Sequence, residues 1–249
     1  MDFADREGVA LVVGGSGGIG RAIARLMAER GSDVVVTYRS RPESAARVVD
    51  EAAAYGVAAR ALELDLNAGV AAAVESVGAI HTLVYAAGPH VPMTHLSRVE
   101  PASMSEQLDR DAGAFFAVVH AALPALRAAE GNIVAVTTAA TTRFPVRDGL
   151  SSVPKAAVEA AVRALAVEEG RFGVRANCVG PGMLTDGMAE RLISSGELDE
   201  HALEVTRGNI PLRRFGVAHD IAEAVCFLAS DRAGFISGQK LDVDGGYGA

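Results

Sequence analysis

The chain has 249 residues, no tryptophan, two cysteines, few aromatic side chains and no basic run. Each scarcity excludes something. Cys178 and Cys226 lie in apolar surroundings without metal-ligand spacing, so they read as buried thiols in a reducing compartment rather than as a metal site. Scattered Lys and Arg, with a net charge of −8 and a pI near 5.3, exclude nucleic acid as the main partner, because phosphate binding needs basic patches. The first residues, MDFADREG, are acidic, and the apolar run Val9–Val13 is too short for a signal peptide or a membrane span. The expectation is a soluble, cytoplasmic protein without a membrane partner. No composition shift, Pro/Gly-rich linker or repeat divides the chain, and half of it is apolar, so one folded domain is expected.

What is present is an alternation. Short Val/Ile/Leu runs at Val9–Val13, Asp33–Tyr38, Ala59–Leu64, Thr82–Ala86, Asn132–Thr137, Val174–Val179 and Lys240–Val243 read as strands. Most are continuously apolar, as strands buried on both faces of a parallel sheet must be. Between them lie segments of helical period. Ile19, Ala22, Ile23, Leu26 and Met27 mark one helix face ending at Gly31, and Ala156–Ala166 and Ile221–Leu228 repeat the pattern. Such alternation predicts right-handed crossovers and an α/β, doubly wound seven-stranded parallel sheet flanked by helices. Met183–Asn209 interrupts the alternation and reads as a pair of small helices, a candidate lid over a ligand, with Gly182 and Gly187 as joints.

The segment Val13-Gly-Gly-Ser-Gly-Gly-Ile-Gly20 follows the first strand and opens the first helix. Glycine is needed where a chain turns sharply and where backbone must approach a pyrophosphate, and the helix N-terminus offers free N–H groups to the anion. This makes Gly14, Ser16, Gly18, Ile19 and Gly20 candidate phosphate contacts. At the end of the second strand, Tyr38-Arg39-Ser40-Arg41 contains no acid that would bind a ribose 2′-hydroxyl. Arg39, or Arg41, can pair with a 2′-phosphate and Ser40 can donate to it, which favours NADP(H) over NAD(H).

The spacing Gly14–Gly18–Gly20 resembles the TGxxxGIG loop of the short-chain dehydrogenase/reductase family, with Val13 in place of the threonine. The resemblance runs along nearly the whole chain. Asp65-Leu66 is similar to the family's adenine-contacting pair. Ala87-Gly88 keeps the end of its NNAG segment, with Tyr85 and Ala86 in place of the asparagines. Asn177, Pro181-Gly182 and Thr185 resemble the region under the nicotinamide, and Pro211–Gly216, Asp220–Ala222, Phe227–Ser230 and Ser237…Gly246 its C-terminal signature. The resemblance, nearest to 3-oxoacyl-ACP reductase-like members, implies a single-domain Rossmann fold, a small-molecule substrate and a homotetramer or homodimer. In that assembly the helix carrying Ala156, Ala157, Ala160, Ala161 and Ala164 would make close contacts.

The family reduces a carbonyl with a tyrosine four residues before a lysine, a serine thirteen before the tyrosine, and a supporting asparagine. Carried onto this sequence, Lys155 is kept, the serine is Thr138, the asparagine is Asp111, and the tyrosine is Ser151. An alkyl hydroxyl is a far weaker acid than a phenol. Ser151 is therefore expected to cap a helix, with Lys155 starting that helix and Pro154 in its first turn. Replacement acids are sought nearby. His90, after Gly88-Pro89, and an ordered water lead; Asp148 and Arg147 precede Ser151, Tyr85 has a phenol but a core-facing or ribose-facing strand end, and the substrate itself could supply the proton. Asp148 also stands seven residues before Lys155, where enoyl reductases of the superfamily keep their tyrosine. The reading is an atypical NADP(H)-dependent reductase of a ketone or conjugated carbonyl in a hydrophobic molecule. A catalytically silent dinucleotide-binding regulator, or a lyase or isomerase with His90 or Asp111 as base, stays open. No metal is expected.

Overall fold

The computed structural model describes residues 1–89, 91–185 and 200–249. Strands β1 (Val9–Val13), β2 (Val34–Tyr38), β3 (Ala59–Glu63), β4 (Ile80–Tyr85), β5 (Asn132–Val136), β6 (Arg175–Pro181) and β7 (Lys240–Val243) form one sheet. They pair in parallel in the order β3-β2-β1-β4-β5-β6-β7. Chain order reverses between β1 and β4, and a crevice opens at the carboxyl ends of the strands beside such a reversal.

Each face of the sheet carries its own core. Helices α1 (Gly18–Glu29) and α2 (Pro42–Ala53), with a late helix over Ala218–Ala229, cover one face through Ile23, Met27, Val48, Ile221 and Val225. On the other, α3 (Val70–Glu75), α5 (Ala114–Ala128) and α6 (Gly149–Glu169) pack Phe115, Val118, Leu126, Val158 and Val162 against Leu11, Leu83 and Ile133. The central strands β1, β4 and β5 are buried almost throughout, which explains their largely apolar sequences, and their buried polar members His81, Thr82 and Asn132 hydrogen-bond to one another. Helix α4 (Pro101–Leu108) runs into α5 through a π-helical turn at Asp109–Gly113. Such turns are often found at functional sites.

The seven strands stand where the apolar runs placed them, within a few residues at the ends. The expected lid at 183–209 falls mostly outside the described residues; within it, Glu200–Gly208 is helical. No helix among the described residues is long and apolar enough to cross a membrane. Cys178 and Cys226 are buried free thiols, and burial pushes both up to about 12.

Helix α6 corrects the sequence reading. It begins at Gly149, so Lys155 is its seventh residue and Pro154 lies inside it rather than in its first turn. A proline there forfeits the N–H bond to the carbonyl of Leu150. Pro154 is buried, and packing of the long helix outweighs the one lost bond. Ser151 lies within the first turn, and the capping position belongs to Asp148.

Candidate active site at the sheet crevice

The glycine loop leaves β1 through Gly14 at φ +79°, where a side chain would press within 2.9 Å of the Ala86 carbonyl and the Ala87 backbone. A Cβ at Gly20 would collide with the Gly14 carbonyl. These two glycines let the loop fold tightly onto the end of β4. The Gly14 N–H donates to the buried hydroxyl of Thr37 in β2 at 3.0 Å. Thr37 was missed in the sequence; its signal was one hydroxyl in an otherwise apolar strand. Helix α1 has no side-chain cap and no acid in its first turn. The N–H groups of Gly18, Ile19 and Gly20 have no intrahelical partner and face where an anion would sit. Ser16, half-buried, stands in the same loop. The loop therefore fits a dinucleotide pyrophosphate.

At the ends of β2 and β3, Arg39 and Ser40 are exposed, with Asp65 beside them. The Asp65 carboxylate accepts from the Asn67 backbone and side chain at 3.0 and 2.9 Å. Those bonds hold it below the usual carboxylate range, and Arg39 contributes a smaller electrostatic part. Leu66 packs on the core behind it. Arg39 and Asp65, 26 residues apart in sequence, are thus brought to one rim.

Across the reversal point, Lys155 reaches the exposed backbone of Gly88: a Cβ there would lie 3.4 Å from its Nζ. The same Nζ donates to Asp111 Oδ1 at 2.9 Å. Asp111 sits in the π-helical turn and is almost fully buried, with its side chain 3% exposed against 13% for Lys155. The turn is what brings a carboxylate on the α4–α5 segment onto a lysine of α6. A buried ion pair is held only when each charge keeps its partner.

Thr138 follows β5. Its hydroxyl oxygen accepts from Ala140 N–H at 3.1 Å, capping the short 3-10 turn Ala139–Thr141 and leaving its proton free to donate. The turn is tied to α6 where Thr141 donates to both oxygens of the buried Glu159 at 2.8 and 3.0 Å. Lys240 of β7 closes the network, 3.3 Å from Glu159 and hydrogen-bonded to Thr141 and Thr142. Thr138 is therefore braced by a polar cluster that sequence spacing does not show.

Ser151 does not cap. Its N–H donates to the Asp148 carbonyl at 3.0 Å, and its half-buried hydroxyl has no protein hydrogen bond. Tyr85 points into the core, edge-on to Phe115 at 5.3 Å. Its phenol is buried without a partner, and burial first, then nearby Asp111, pushes its pKa upward, so it is no proton donor. Pro181 ends β6, Gly182 N–H donates to Val243 and Thr185 N–H to Gly216, which leaves Thr185 exposed at the crevice edge. Asn177 instead braces the loop before β7, donating to Ile236 and accepting from Gln239. Ala87 and Gly88 line the end of β4. His90 lies outside the described residues. Among the described residues no group of side chains could hold a metal ion.

A glycine loop on an uncapped helix, with a half-buried, carboxylate-paired lysine across the reversal of a parallel sheet, defines a dinucleotide-binding α/β oxidoreductase. A family profile described as Enoyl-(Acyl carrier protein) reductase matches residues 13–248. The chain belongs to the short-chain dehydrogenase/reductase family. It is 33% identical over 244 residues to 3-oxoacyl-[acyl-carrier-protein] reductase FabG of Staphylococcus epidermidis, covering 95% of this chain and 97% of that one. It is also similar to a blue fluorescent protein from a metagenomic library solved with NADPH, at 30% identity and TM-score 0.85, covering 99% of this chain and 100% of that one. An NAD+-bound xylitol dehydrogenase is similar at 25% identity and TM-score 0.89, with 97% and 99% covered.

Proposed function

We propose that this protein is an NADP(H)-dependent reductase of a ketone or conjugated carbonyl in a hydrophobic small molecule, with an altered proton-donating site. The observation that carries the reading is Lys155, held by Asp111 at the lip of Gly88, facing the open glycine loop. The likeness to a 3-oxoacyl reductase supports a carbonyl substrate. Arg39 at the rim, with no acid ending β2, supports the 2′-phosphate form, as does the likeness to an NADPH-binding protein.

Gly14, Ser16, Gly18, Ile19 and Gly20 would hold the pyrophosphate, and Asp65 and Leu66 the adenine. Arg39 and Ser40 would bind the 2′-phosphate, Ala87, Gly88 and Lys155 the nicotinamide ribose, and Pro181, Gly182 and Thr185 the nicotinamide. The cofactor supplies hydride when bound. Thr138 would hydrogen-bond the carbonyl oxygen and orient it. Ala156, Ala157 and Ala161, half-buried, and Ala160 and Ala164, exposed, support self-association through α6 as a homodimer or homotetramer. A cytoplasmic location fits the buried free thiols.

The test is NADPH titration followed by NADPH oxidation across ketone, quinone and enone substrates. Binding with turnover on a carbonyl class is expected. Binding without turnover on any of them would replace this reading with a dinucleotide sensor. Arg39→Ala is expected to weaken NADPH about tenfold or more and leave NADH unchanged, read by fluorescence titration, because it removes one charge-assisted phosphate contact.

A further inference from the structure

Asp148 precedes α6, and Ser151 and Lys155 follow it by three and seven residues. On a helix these positions lie on successive turns of one face, and that face is fixed in the crevice by Lys155. Carboxylates at a helix start ordinarily cap it. The Asp148 carboxyl does not: the first-turn N–H groups of Ser151 and Ser152 go to its backbone carbonyl instead.

Nor does it pair with a base. Arg147 donates to the Met93 carbonyl, Arg143 lies over the Tyr247 ring, Lys155 is taken by Asp111, and Glu159 is tied to Lys240. His95 and Arg98, on the 3-10 turn that packs against this corner, form no ion pair with it. The corner is nonetheless built. Thr94 N–H donates to the Arg147 carbonyl at 2.9 Å, Leu96 packs against Gly149, and Arg147 is held at φ +74°, a left-handed conformation that non-glycine residues rarely adopt. Burial without a partner pushes the Asp148 carboxyl up to about 6, so it keeps a usable share of its proton near neutral pH. The Ser151 hydroxyl, also without a protein hydrogen bond, stands three residues on along the same helix face, where a bridging water would connect the two.

We propose that Asp148 is the proton source for carbonyl reduction, delivering through the Ser151 hydroxyl to the substrate oxygen. This rests on the reductase reading above. As hydride adds to the carbonyl carbon, the C=O electron pair takes the Ser151 proton. The Asp148 carboxylic proton restores that hydroxyl, and the carboxylate is reprotonated by solvent. The carbonyl becomes an alcohol and the reduced nicotinamide is oxidised, with one proton consumed. Ser151 thus has a role that a weak alkyl acid can perform, because it relays a proton held elsewhere.

The test compares wild type, Asp148→Asn, Ser151→Ala, the double variant and His90→Ala. Each single change at the relay is expected to lower kcat at pH 7 about 100-fold with NADPH affinity unchanged, and the double variant to lose no more. The fall of kcat above pH 6 in wild type should vanish in Asp148→Asn. In cofactor-free protein, carboxyl carbon NMR should show an aspartate titrating near 6 that Asp148→Asn removes, and Asp148→Asn should melt above wild type at pH 8. Wild-type kcat in either relay variant, an Asp148 carboxyl titrating in the ordinary range, or loss in His90→Ala with Asp148→Asn unaffected would overturn the proposal and leave the reductase reading standing. Absence of turnover in wild type would sink that reading, and this one with it.

Discussion

Lysine occurs at two positions in the chain, 155 and 240, and both are drawn into buried carboxylate pairs while the exposed cations are arginines. For Lys155 this sets a firm expectation. Lys155→Ala or Asp111→Ala alone leaves a buried charge uncompensated and should cost about 3 kcal/mol or more, whereas Lys155→Met with Asp111→Leu should cost less than the two single changes summed. Urea denaturation of the four proteins measures the coupling. His81 gives a second residue-scale test. Burial first, and the Arg6 guanidinium second, lower its imidazole from 6.5 to about 4. Between those values the unfolded chain binds the proton and the folded chain does not. Its stabilising contribution is therefore complete above pH 6.5 and is lost as pH falls toward 4, by roughly 3 kcal/mol. Asp148 runs the other way: its raised value favours the fold at low pH and is a cost above 6. Stability measured from pH 4 to 8 in wild type and in Asp148→Asn separates the two opposing slopes. At this scale the glycines, Lys155, Thr138 and Asp111 were legible, because motif spacing survives in one dimension. Asp148 stood among the replacement acids but behind His90, because its burial without a partner depends on segments that only the fold brings around it.

At the scale of elements, α6 carries the site. At its start Arg147 and Gly149 meet the 93–98 segment, and along it Lys155 meets the π-helical turn and Glu159 meets β7. Its beginning was misplaced in the sequence because Ser151, Ser152 and Pro154 look like a helix start by local propensity. The buried apolar anchor Leu150, with Leu96 packed against Gly149, extends the helix back to Gly149. That junction can be probed directly. Gly149→Ala would put a methyl group 2.6 Å from Leu96 Cγ, so it should destabilise by about 1–3 kcal/mol through overpacking. The same clash displaces the segment above Asp148, so kcat should fall more than thermal melting alone explains. Wild-type kcat in this variant would detach the 93–98 cover from the chemistry.

At the scale of the molecule, the reversal of strand order between β1 and β4 creates the crevice, and the long crossovers bring Arg39, Lys155 and Asp111 to its rim from three different helix–strand units. Ala160, Ala164 and Val167 leave an uncharged stripe of α6 exposed in the single chain. If α6 self-associates as proposed, Ala160→Arg with Ala164→Arg should reduce the sedimentation coefficient, with the far-ultraviolet circular dichroism unchanged. The sequence alone determined the strands, the sheet class, the family and the phosphate loop, because hydrophobic period and glycine spacing are local properties. Only the tertiary structure decided the partner of Lys155, the brace behind Thr138 and the isolation of the Asp148 carboxyl. A charge is set by what surrounds it in space, and those surroundings come from segments tens of residues away along the chain.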